Sequence, residues 1–136
     1  MSLLDLKALR DANLVASIAL PAAGAAANTA ALNLGTTTPG RVPRVELLVS
    51  VPATPSLVDA KTIIHTVQDS ADGVTFAAVA DLPTITQLGA GGVGAAAVSR
   101  QFKLPIGLKQ YVRLNSAVLA AGGDNTAISA TLALVF

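Results

Sequence analysis

The chain has 136 residues, of which 52% are apolar, 12% charged and 3% aromatic, and its formal net charge is +1. Typical soluble domains carry roughly 25% charged residues, so this composition excludes a disordered polyelectrolyte. It also argues against a nucleic-acid binder, which needs a basic face and stacking groups. Cysteine is absent, which removes disulfides, thiolate metal sites and cysteine nucleophiles.

The length suits one domain with a real core. The stretch Ser2–Ala12 places Leu3, Leu6 and Leu9 at near-helical spacing, with Ser2 as a cap and Asp5 in the first turn. A short helix or arm is therefore predicted over residues 1–12. About three turns are not stable alone, so the segment has to dock on its own domain or on a neighbouring subunit. Leu3, Leu4, Leu6, Leu9 and Arg10 are the candidate partner contacts. Residues 12–40 carry no charge, but Pro21, Gly24, Asn28, Thr29 and Asn33 interrupt the run, which argues against a membrane-spanning helix. Asp5 and Asp11 stand where a secretory signal would place its basic leader and apolar run.

Beyond residue 12 the period changes to two, and residues 13–136 read as a single domain. Strands are predicted over 13–20 and 29–34, with an alanine- and glycine-rich loop between them. Residues 44–51 follow, with Val45, Leu47, Val49 and Val51 on one face. Residues 61–68 and 74–80 flank Asp69-Ser-Ala-Asp-Gly73, a hairpin signal. Shorter runs at 84–88, 96–104, 109–119 and 126–136 complete the set. In the last, Ile128, Ala130, Leu132, Leu134 and Phe136 share one parity. About eight antiparallel strands with turns between them predict an all-β sandwich or jelly roll.

No chemistry-bearing constellation stands out. Gly89–Gly94 matches G-x-G-x-x-G, but the acidic residue due about twenty positions on is missing and too little chain follows for a nucleotide-binding unit. A flexible loop is the expectation there. His65 is the single histidine and lies on the same strand face as Lys61 and Asp69. Without an evident nucleophile and orienting group it reads as structural, and no enzyme is predicted. Asp69, Asp72 and Asp81 do not follow a calcium-loop spacing, and no cofactor is expected. Arg100, Lys103, Lys109 and Arg113 form an acid-free stretch, either a basic docking patch or solvated strand ends.

Three segments carry a resemblance. Val67–Phe76, Phe102–Leu114 and the closing Ala127–Phe136 are similar to the jelly-roll cement (decoration) proteins of tailed bacteriophages, whose sequences place a similar hairpin before an "LP-g-kqYvRL" segment. Gly89–Gly94 and the Ala22–Ala31 loop depart from that pattern. The resemblance implies a structural virion protein, made in the bacterial cytoplasm and bound as a homotrimer to the major capsid protein on the outer surface of an icosahedral head. It implies neither a nucleic-acid nor a membrane partner. The low charge agrees independently, because some apolar surface must face another protein. The alternative is a carbohydrate- or cell-surface-binding sandwich of a phage tail or adhesin, with Tyr111 its single tyrosine platform.

Overall fold

A computed structural model describes residues 14–41 and 45–135. The described chain forms ten antiparallel strands: β1 (Val15–Ala19), β2 (Ala26–Asn28), β3 (Leu32–Asn33), β4 (Glu46–Val51), β5 (Thr62–Ser70), β6 (Ala77–Ala78), β7 (Ile85–Leu88), β8 (Val98–Lys103), β9 (Tyr111–Val118) and β10 (Ser129–Val135). One short 3-10 turn at Pro39–Arg41 is the helical element among the described residues.

The first sheet runs β1-β10-β4-β8. In the second, β2 and β3 pair with one side of β9, β9 pairs with β5, and β6 and β7 pair with the far side of β5. Counting β2/β3 and β6/β7 as single interrupted strands leaves eight. They pair as a nested series: first with last, second with seventh, third with sixth, fourth with fifth. This nesting is one long hairpin wrapped into two facing sheets, the jelly-roll form of an antiparallel sandwich.

Alternation explains the core. Leu47, Val49 and Val51 of β4, Ile63 and Val67 of β5, and Val112, Leu114 and Val118 of β9 point inward and are buried. Ala130, Leu132 and Leu134 of β10 do the same. A one-residue slip would turn any of these sets to solvent, so the pattern fixes register.

Two strand predictions need correcting. Residues 26–28 form a strand where a loop is expected. Gly24 N–H donates to Val118 O (2.9 Å) and Val118 N–H to Ala25 O (3.0 Å), so pairing overrides alanine's weak strand preference. Buried Thr29 then accepts from Leu114 N–H through its hydroxyl (3.0 Å), and the ladder breaks before β3. Residues 74–80 shrink to β6, because the N–H groups of Val74 and Thr75 donate to the Asp72 carboxylate rather than across the sheet.

The Gly89–Gly94 stretch is pinned rather than free. Thr54 and Ala95 exchange backbone bonds (2.9 and 3.1 Å), Ala90 N–H donates to Gly94 O (3.1 Å), and Gly92 N–H donates to the Asp59 carboxylate (2.9 Å). A Cβ on Gly94 would lie 1.9 Å from Thr54 O, whereas one on Gly92 would meet nothing within 4 Å. Both have positive φ, +75° and +72°. Gly92→Ala is therefore expected to cost about 1–2 kcal/mol from the backbone alone. Gly94→Ala should cost clearly more, and paired urea denaturation curves measure the difference.

Candidate functional site

The strongest polar cluster lies in the core. Strand parity turns His65 inward between Ile63 and Val67, and both neighbouring strands meet it with polar groups. Its Nδ1 lies 2.8 Å from Ser116 Oγ on β9, and its Nε2 lies 2.9 Å from Gln87 Oε1 on β7. Gln87 Nε2 donates to the carbonyls of Pro52 (3.2 Å) and Ala96 (3.1 Å). Since that amide nitrogen gives both its hydrogens away, Oε1 can only accept. His65 therefore carries its proton on Nε2, and Nδ1 accepts from the Ser116 hydroxyl.

A serine hydrogen-bonded to a histidine has the outline of a nucleophile and base, but the geometry denies it that role. Ser116, His65 and Gln87 are 0%, 1% and 2% exposed, so no substrate atom reaches the hydroxyl. The group on the far side of the ring is a neutral amide, which cannot stabilise an imidazolium as a carboxylate would. Burial accordingly pushes the His65 pKa down, with the Gln87 bond opposing.

The other candidates are dispersed. Asp69 is buried and its carboxylate accepts Lys109 N–H (3.0 Å). Asp72 organises the turn after β5, taking Ser70 Oγ–H (2.7 Å), Val74 N–H (2.9 Å) and Thr75 N–H (3.0 Å), and these bonds pull its pKa down to about 2. Among the described residues no group of three or more His, Asp or Glu is placed to hold a metal ion. Lys61 stands half-buried just ahead of β5.

The acid-free basic stretch is not one patch. Arg113 sits on the outer face of the second sheet, its guanidinium 4.1 Å above the Phe76 ring and its Nε–H donating to Gln68 Oε1 (2.8 Å). Arg100 and Lys103 lie on β8, and Lys109 lies in the loop before β9. Tyr111, expected in mid-strand, opens β9, and its ring stands 3.5 Å from where a Gly73 Cβ would be.

What the sandwich presents instead is two broad faces almost without charge. On the outer face of the second sheet, register aligns Asn28, Asn115, Thr66, Ala26, Ala117, Ile64, Thr86, Thr62 and Leu88, with Arg113 the one charged strand residue. The outer face of the first sheet carries Val15, Ala133 and Leu48 in one row, with Ser17, Thr131 and Ser50 in another. Its charges, Glu46 and Lys103, oppose each other at one end. The arm residues Leu3, Leu4, Leu6, Leu9 and Arg10 lie outside the described residues.

No protein-family model matches the chain, and no curated protein matches it. Among the described residues no helix is long and apolar enough to cross a membrane.

The His65 cluster sets a pH dependence. Burial holds its folded pKa below the ordinary histidine value of about 6.5, so on acidification the unfolded chain takes up the proton first. Stability is then full above about pH 6.5 and falls below it, with a limiting slope of about 1.4 kcal/mol per pH unit, until the native pKa is passed. Urea unfolding across pH should show that decline below about pH 6.5 in the wild type, and His65→Gln should lose the histidine part of it.

Proposed function

We propose that this protein is a capsid cement protein of a tailed bacteriophage, binding the outside of an icosahedral head as a homotrimer and bridging neighbouring copies of the major capsid protein. The observation that carries the reading is the charge-poor character of both broad faces on a sandwich whose own core is complete. Flat neutral faces suit protein association, because little charge has to be desolvated when they are covered. The three segments similar to cement proteins fall on structurally coherent parts of the fold. They are the end of β5 with its Asp72 turn, the β8–β9 connection into β9, and β10.

The mechanism needs no acid, base or metal. A cement protein binds the assembled shell and not its dissociated subunits, so its binding free energy adds to shell stability by mass action. Three linked copies raise one another's effective concentration at the surface, and weak single contacts become a firm attachment. Cross-braced loops and a register-fixed core suit this work, since a rigid module loses little entropy on docking.

Light scattering on the purified protein is expected to give a trimer. Heads assembled with it should withstand heating that opens heads without it. A monomer without affinity for any expanded head would overturn the reading. Removing residues 2–12 is expected to weaken subunit or head binding while lowering the stability of the sandwich by less than about 2–3 kcal/mol. A larger loss on denaturation would make that segment part of the core.

A further inference from the structure

The four edges of the sandwich are unequal. Both edges of the second sheet are interrupted strands of two to four residues, β2/β3 and β6/β7. In the first sheet, β1 is a five-residue uncharged edge, and β8 is an unbroken six-residue edge paired, among the described residues, on one side with β4. Such a strand offers a row of unpaired N–H and C=O groups to an incoming chain. Ser99, Arg100, Gln101 and Lys103 on it are exposed.

Beside β8 the two sheets part to leave a shallow cleft of about 170 Å³, lined by Pro83, Thr84, Ile85, Thr86, Arg100 and Phe102. Ile85 is buried and Phe102 half-buried, so the lining includes apolar surface. Arg100 supplies the only charge in this lining, and no carboxylate there balances it.

We propose that the β8 edge and this cleft accept an extended, acidic peptide segment as an added strand. Its backbone pairs with β8; on the face that Arg100 and Phe102 share, a carboxylate meets Arg100 and the apolar side chain two residues away rests beside Phe102 and Ile85. Strand addition draws affinity from main-chain bonds and selectivity from the alternate side-chain positions. A charge-assisted bond to guanidinium makes the acid the selective element. A second copy of this chain fits less well. Pairing β8 with its own copy brings Arg100 and Lys103 of both chains together, and β1 of a copy (Val-Ala-Ser-Ile-Ala) has no acid to offer. The inference stands apart from the cement reading. Under that reading the segment would be an acidic stretch of the shell protein.

The probe is a fluorescein-labelled octapeptide that alternates valine and glutamate along one face and carries threonine on the other (Thr-Val-Thr-Glu-Thr-Val-Thr-Glu), compared by fluorescence anisotropy with its counterpart that has lysine for glutamate. The acidic peptide is expected to bind at least about tenfold more tightly, and Arg100→Glu to remove that preference. Amide exchange followed by NMR should show alternate β8 amides becoming protected when the acidic peptide is added. Equal binding of the two peptides, protection confined to other strands, or no binding at all would each overturn the proposal. If Arg100→Glu fails to fold, Arg100→Gln and the wild-type peptide comparison still decide it. Because no capsid enters the experiment, its outcome is separate from that of the cement reading.

Discussion

The two sheets are held in one register by a polar bar through an aliphatic core. Ser116, His65 and Gln87 stand side by side on β9, β5 and β7 of the second sheet. The amide of Gln87 then reaches two backbone carbonyls, one just after β4 and one shortly before β8 of the first sheet. Leucine, valine and alanine can pack in several nearly equivalent ways, and this chain has no tryptophan to lock them. Buried polar groups are less forgiving, since each one left unpaired costs about 1–3 kcal/mol. Slipping β5 by one residue would turn His65 outward and strand Ser116 and Gln87 together. The bar therefore selects one register from among several that the aliphatic residues alone would tolerate.

Charge is organised by the same economy. The acids are largely absorbed by local geometry: Asp72 holds the turn after β5, Asp124 caps Thr126, Asp59 ties down Gly92, and Asp69 takes the N–H of Lys109. Among the described residues, only Glu46, Lys103 and Arg113 are charged strand residues on the outer faces. Arg113 is itself spread over the Phe76 ring, where a guanidinium keeps its attraction at reduced cost in hydration. The faces are thus left to serine, threonine, asparagine and alanine, which a partner can cover cheaply.

Much of the sandwich was legible from alternation alone. The inward set Leu47, Val49 and Val51, and the set Ala130, Leu132 and Leu134, follow directly from residue parity and are buried as that parity requires. The turn after β5 was legible because Ser70, Asp72 and Gly73 are residue types that hydrogen-bond within one turn, but β5 itself runs on through Asp69 and Ser70, which the sequence reading places in the loop. The strand at Ala26–Asn28 was not, since alanine has little strand preference and the pairing there is dictated by β9, remote in sequence. The use of the glycines was equally hidden. Composition suggests freedom, whereas Gly94 is small because Thr54 O occupies the space a Cβ would take. His65 could be read as structural, but its partners could not, because Gln87 and Ser116 are 22 and 51 residues away. The arm residues lie outside the described residues.

A small sandwich with so little charge has to decide which surfaces associate, and its edges are where that decision is least reversible. Interrupting both edges of the second sheet removes them as templates, because two to four residues form too few bonds to hold a second chain. On β8 the alternative device is used: the strand is continuous but carries Arg100 and Lys103. Basic side chains on an edge oppose pairing with an identical edge, which is why they protect against fibre growth. The opposition is selective, however, because the same charges that repel a copy attract a carboxylate. An edge defended by charge stays available to a partner of opposite sign, whereas an interrupted edge is available to none. Placing both cations on β8, beside the cleft at Ile85 and Phe102, keeps that edge closed to its own kind and open to an acidic strand.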